Sequence, residues 1–209
     1  MLNFMDHEPI PEAWKTGYIK AIHPLIRLLT RWDMHPNTFT TLGFLVSCVA
    51  TYFMGVGSFR IAALLVLLAG MFDTIDGKLA RDSGKVSRFG ALFDSTLDRY
   101  SEVILFFGMA HYFVEHNLYW STIAVAVALG GSLMVSYIRA RAEGLGFECK
   151  VGILQRPERL LLIAIGGLIH VNALIVAIWV IAVLSNITAV VRIVHVWRED
   201  NVTGPSLSK

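Results

Sequence analysis

Apolar residues occur in long runs, each close to the length of a membrane crossing, and polar residues gather at the joints between them. A helical span needs about 20 predominantly apolar residues. Runs of that kind cover residues 37–56, 60–80, 89–113, 117–138, 158–171 and 173–197. Gly55 and Gly57 close the first run, and Gly144 and Gly146 follow the fourth. The fifth run is short and begins beside Arg156 and Arg159, with Asn172 as the visible break before the sixth. The pattern predicts an all-α integral membrane protein with six transmembrane helices.

A different periodicity precedes the first run. Trp14, Tyr18, Ile22, Leu25, Leu29 and Trp32 recur every three or four residues, with Lys15, Lys20, Arg27 and Arg31 between them. A basic amphipathic helix with Trp near its ends suits the plane of an anionic membrane surface. Packing of the same helix on the domain is an equally consistent reading, and Pro24 is expected to divide it. The predicted organisation is an interfacial segment over 1–35, a six-helix domain over 36–198 and a cytoplasmic tail over 199–209.

Composition agrees: 55% of the chain is hydrophobic and 16% charged, with a mean hydropathy of +0.59. Soluble domains carry about 25% charged residues. The N-terminus lacks the basic start and apolar core of a cleavable signal, so none is expected. Cys48 and Cys149 match no metal or redox spacing and are read as reduced packing residues. No nucleic-acid partner is expected. Of the 18 Lys and Arg, all but Arg60 fall on one side of the predicted topology. The positive-inside rule then places both termini, and the chemistry below, in the cytoplasm.

That chemistry is a cluster of carboxylates in apolar surroundings. Asp73 and Asp76 are three residues apart, and Asp94 and Asp98 four apart, so each pair shares a helical face. Each charged residue at the centre of a membrane helix costs roughly 2.5–3.5 kcal/mol, which demands a chemical reason. Two facing pairs make an oxygen-rich site suited to Mg2+ or Mn2+. Salt bridging to Arg81, Arg88 and Arg99 is the structural alternative. Gly77 and Ala80 follow the first pair; small residues there admit either a ligand or a neighbouring helix. Glu102, one turn beyond Asp98, belongs to no part of this spacing and is read as a neighbour of the site.

Asp73, Asp76, Gly77, Ala80, Arg81, Gly90, Asp94 and Asp98 together resemble the signature of the CDP-alcohol phosphotransferase family, membrane enzymes of phospholipid synthesis. The resemblance implies a metal-dependent transferase that uses a CDP-linked lipid, usually CDP-diacylglycerol, and releases CMP. It implies Asp73, Asp76, Asp94 and Asp98 as ligands of two divalent ions, and Asp98 as a general base, a second-metal ligand or both. Asp73, Gly77, Ala80, Arg81, Ser87 and Gly90 are implied to hold the nucleotide. A homodimer is implied as well.

A second basic cluster bears on the acceptor. Ser136 and Arg139, and Arg156 and Arg159, are paired at helical spacing, and Arg192 lies inside the last apolar run, where a buried arginine needs an anion. Such a set suits an acceptor that carries a phosphate. The surrounding sequence resembles the phosphatidylinositol-phosphate synthase branch of the family, which implies Ser136, Arg139, Arg156, Arg159 and Arg192 as the pocket for inositol 1-phosphate. Glycerol 3-phosphate, giving a phosphatidylglycerophosphate synthase, is the rival acceptor. A divalent-cation transporter is the alternative of another class, but it leaves Gly77, Ala80 and Arg81 without a role.

Overall fold

The structure, a computed structural model, describes residues 34–203, so the amphipathic segment expected over residues 11–32 lies outside the described residues. Six helices are present among the described residues: α1 (Pro36–Gly55), α2 (Phe59–Asp82), α3 (Arg88–Glu115), α4 (Tyr119–Gly144), α5 (Arg156–Ile169) and α6 (Val171–Thr203). They coincide with the six apolar runs. Three of them, α1, α4 and α6 over Val171–Asn201, are long and apolar enough to cross a membrane by themselves. The other three depart from that standard for identifiable reasons. Helices α2 and α3 carry the aspartates, and α5 has only 14 residues, about 21 Å at 1.5 Å per residue.

Local chemistry sets the helix starts. His35 accepts from the Asn37 N–H at 3.2 Å and Pro36 opens α1, where a missing N–H costs nothing. Ser87 caps α3 by accepting from the Gly90 N–H at 2.9 Å. In α5 the Gln155 N–H donates to Glu158 Oε2 at 2.9 Å, half of a capping box. The break before α6 lies at His170, not at Asn172. His170 is fully extended (φ −171°, ψ 159°), and its Nδ1 accepts from the Asn172 N–H at 3.2 Å. Asn172 already belongs to the first turn of α6. That helix also continues to Thr203, through the tail expected to begin at residue 199.

The principal contacts close a ring. Helix α1 packs on α2, α2 on α5, α5 on α6, α6 on α4, α4 on α3, and α3 back on α1. Inside lies a core of Met54, Phe106, Met109, Phe113, Ile163, Leu174 and Ile178, all inaccessible. Small residues set the closest approaches. A Cβ on Gly108 would stand 2.6 Å from the Thr51 carbonyl oxygen, so α1 and α3 meet backbone to backbone there. The many exposed Leu, Ile, Val, Phe and Trp side chains on the outer faces form a lipid-facing surface, as an integral membrane protein requires.

Candidate active site

Up-and-down connectivity brings the start of α1, the end of α2, the start of α3 and the start of α5 to one end of the ring. All four aspartates of the motif are there. Asp76 is 4% exposed, and the Thr40 hydroxyl of α1 donates to its Oδ2 at 2.7 Å. Asp73 and Asp94 both lie within electrostatic reach of Asp76 and of Asp98. A small cluster of Phe39, Ile75 and Leu79 packs alongside and joins α1 to α2 through apolar contacts.

Arg156, the first residue of α5, stands between the two arms of the motif. Its Nη1 donates to Asp73 Oδ2 at 2.5 Å and to Asp98 Oδ1 at 2.8 Å. Asp98 Oδ2 has a looser contact with Arg99 Nη2 at 3.5 Å. Among the described residues no three His, Cys, Asp or Glu side chains stand in the closed arrangement that holds an ion. The Arg156 guanidinium lies between two of the donors such an arrangement would use. The donor set itself, carboxylate oxygens from Asp73, Asp76, Asp94 and Asp98, fits a hard divalent cation.

Beside Asp76 and Asp94 opens a cavity of about 320 Å3, within the size range of small-molecule sites. Gly77, Ala80, Arg81, Ser87 and Gly90 all line it. The structure thus brings together the residues expected to meet the nucleotide; Asp73 stands just beyond, on the α5 side. The Ser87 hydroxyl is already engaged as a helix cap. Gly90 is required by that cap, since a Cβ there would stand 2.9 Å from Ser87 Oγ. Gly77 faces only the tip of Arg81, at 3.7 Å from a hypothetical Cβ, so helix packing does not account for its size.

Asn37, Thr40 and Lys85 also line this cavity, and sequence reasoning missed all three. The one available signal for Asn37 and Thr40 was the group of short polar residues, Asn37, Thr38, Thr40 and Thr41, at the start of an otherwise apolar helix.

The expected acceptor residues are each engaged with partners inside the protein, and Arg139 and Arg159 both lie within electrostatic reach of Arg192. Arg156 faces the carboxylates. Arg159, inaccessible to solvent, is locked to Glu102 by Nε–Oε1 and Nη2–Oε2 bonds of 2.6 and 3.0 Å, and its Nη1 donates to the Leu154 carbonyl at 3.4 Å. In this arrangement Arg159 joins α5 to α3, and Glu102 is its buried counter-charge. Arg192 is 2% exposed and donates to the carbonyls of Val151 and Val135 at 2.8 and 2.5 Å. The anion anticipated for it is replaced by two backbone oxygens. Arg139 pairs with Glu143 at 2.8 Å on the exposed side of α4, and the Ser136 hydroxyl turns back to the Ser132 carbonyl at 3.3 Å.

A sequence model of CDP-alcohol phosphatidyltransferases matches residues 33–199. The chain belongs to the CDP-alcohol phosphatidyltransferase family. Within that family it is 39% identical over 189 residues to the archaetidylinositol phosphate synthase of Methanothermobacter thermautotrophicus, covering 86% of this chain and 94% of the relative. It is 33% identical over 197 residues to the phosphatidylinositol phosphate synthase of Mycobacterium tuberculosis, covering 90% and 91%. The crystal structure of that mycobacterial enzyme with CDP-DAG bound has a TM-score of 0.79 to this chain at 33% identity, covering 89% and 96%. A second structure of the same enzyme, in complex with manganese and citrate, also has a TM-score of 0.79, covering 89% and 91%.

Proposed function

We propose that this transferase moves the phosphatidyl group of CDP-diacylglycerol to inositol 1-phosphate, giving phosphatidylinositol phosphate and CMP. The observation that carries the reading is the cavity lined by Gly77, Ala80, Arg81 and Gly90, which opens directly onto Asp76 and Asp94. The names of the relatives, and the CDP-DAG bound to one of them, support the donor and the acceptor class.

In this reading the acceptor hydroxyl attacks the phosphorus that carries the lipid. A new O–P bond forms, the bond to the CMP oxygen breaks, and the hydroxyl proton passes to Asp98. Asp73, Asp76 and Asp94, with Asp98, would hold two divalent ions, whose contribution is to neutralise the pyrophosphate and the leaving group. Manganese in the mycobacterial relative supports divalent metal use. Thr40 fixes the Asp76 carboxylate, and Arg81 reaches the nucleotide side of the cavity. Arg156 is placed to meet the acceptor phosphate, with Ser136 and Arg139 further out.

The same reading has all six helices crossing the bilayer, with the 1–35 segment lying on the cytoplasmic surface and the chain acting as a homodimer. Its support is the charge distribution: Arg60 lies at the opposite end of the ring from the site, and every other described Lys and Arg lies toward the site end.

CMP release by purified protein tests the function. The assay pairs CDP-diacylglycerol and Mg2+ with inositol 1-phosphate, free inositol, glycerol 3-phosphate or serine. Turnover with inositol 1-phosphate alone is expected, and a preference for glycerol 3-phosphate would overturn the acceptor. The 39% identity to an archaetidylinositol phosphate synthase favours a second donor reading, an archaeal CDP-lipid, and that donor forms a parallel arm.

A further inference from the structure

Arg156 touches both arms of the carboxylate motif with a single nitrogen, Nη1, at Asp73 Oδ2 and Asp98 Oδ1. A divalent cation between α2 and α3 needs oxygens of the same carboxylates, at about 2.0–2.6 Å. A guanidinium and a divalent ion held on the same two carboxylates repel each other, so each weakens the other's hold. Cation and Arg156 therefore compete for Asp73 and Asp98.

The guanidinium is also incompletely used. It has five N–H donors in a rigid fork, yet Nε is buried and finds no acceptor among the described residues. A buried donor without a partner is unfavourable until an acceptor reaches it. A phosphate, with several oxygens, matches the fork. The backbone beneath is fixed, because Arg159, one turn along α5, is locked to Glu102 on α3. What remains free to move is the Arg156 side chain.

We propose that Arg156 exchanges partners: cation binding releases it from Asp73 and Asp98, and the released guanidinium takes the phosphate of the acceptor. The inference rests on the acceptor carrying a phosphate, as proposed above. Because linkage is reciprocal, cation and acceptor then strengthen each other's binding, and couplings of this kind amount to about 5–150-fold. The movement also frees Asp98 Oδ1, an oxygen of the carboxylate proposed above to take the hydroxyl proton.

The test is Mn2+ binding to the full chain in lipid nanodiscs without donor, read from the free-ion EPR signal, so no turnover is involved. In wild type, inositol 1-phosphate is expected to tighten Mn2+ binding by at least about fivefold. Arg156→Met is expected to bind Mn2+ more tightly than wild type before any acceptor is added, and to show no response to acceptor. If Arg156→Met does not elute as folded protein, Arg156→Gln takes its place. A variant that binds Mn2+ more weakly, or responds to the acceptor as wild type does, overturns the exchange. So does a wild type indifferent to inositol 1-phosphate, glycerol 3-phosphate and inorganic phosphate alike. Tightening by glycerol 3-phosphate or inorganic phosphate, but not by inositol 1-phosphate, supports the exchange while overturning the acceptor assignment.

Discussion

Arg159 and Glu102 hold each other through two parallel hydrogen bonds, with both side chains at 1% exposure. Removing one partner of a buried pair leaves an uncompensated charge and costs about 3–5 kcal/mol. Glu102→Ala is therefore expected to lower the thermal unfolding midpoint strongly. The double variant Glu102→Leu, Arg159→Met should recover most of that loss, because apolar replacements of both partners remove the stranded charge. A double variant as unstable as the single would show that the pair is not what joins α3 to α5.

Thr40 fixes Asp76 across 36 residues of sequence. Thr40→Val keeps the shape and removes the hydroxyl. A hydrogen bond to a charged group contributes about 1.5–3 kcal/mol, so kcat/KM for CMP release should fall about 10- to 100-fold. Thr40→Ser should retain most activity. Equal loss in both variants would detach the effect from the hydroxyl.

Gly77 and Gly90 are separable by experiment. Gly90→Ala pushes the new Cβ into the Ser87 hydroxyl and is expected to cost about 1 kcal/mol, the value of a lost N-cap. Gly77→Ala meets only the flexible end of Arg81, and Ala favours a helix over Gly by about 1 kcal/mol. It should fold at least as well as wild type while raising KM for the CDP-lipid. An unchanged KM would remove Gly77 from the donor cavity.

Much of the site was legible in the sequence because its logic is local. Asp73 with Asp76, and Asp94 with Asp98, are set by helical period alone, and so is the face that Gly77, Ala80 and Arg81 share. The arginines were harder to place. Arg156 and Arg159 look equivalent in sequence, three residues apart at the start of one helix. Which of them meets a carboxylate of the motif, and which meets Glu102, depends on how α5 docks against α2 and α3. Arg192 was harder to read for another reason: an arginine in an apolar run suggests a charged partner, and here a loop carbonyl, Val151, and a carbonyl within α4, Val135, take its hydrogen bonds. Thr40 carried only the weak signal of polar residues at the start of an apolar helix, and a threonine there has many ordinary uses.

Arg192 provides the next test. It ties the 145–155 connection to α4 and α6, together with Thr188 Oγ1, which accepts from the Leu154 N–H at 3.4 Å. Gly152, at φ 137°, allows that approach. Arg192→Met leaves the Val151 carbonyl without this donor, at a cost of about 1–3 kcal/mol for a buried group left unsatisfied, while Val135, inside α4, keeps its helical hydrogen bond. The expected result is faster proteolysis after Lys150 and a lower unfolding midpoint. An unaltered cleavage rate with a raised acceptor KM would return Arg192 to phosphate binding.

Cys149 reports on the same connection. It is inaccessible, and burial pushes its thiol above the ordinary range, opposed in part by Arg192 and Arg139. A raised thiol value means less thiolate at any given pH, and thiolate is the reactive form. Maleimide labelling of Cys149 in the folded protein should therefore begin at higher pH than for a free thiol. Labelling should accelerate in Arg192→Met as the loop opens. Rapid reaction of wild type at neutral pH would contradict this packing.

The ring order of the helices has a consequence for how the protein is made. Chain order delivers α2 and α3 to the membrane well before α5, yet α5 carries the arginines that neutralise Asp73, Asp98 and Glu102. A nascent chain that has emerged only as far as α4 holds all of the acidic groups and neither Arg156 nor Arg159. Until residues 156–159 leave the ribosome, Asp73 and Glu102 lack their arginine partners and Asp98 has only its looser contact with Arg99. In the six-span arrangement proposed above, the second and third helices reach their final depth only after α5 arrives. Completion of the bundle is a late event, governed by the arrival of the shortest helix.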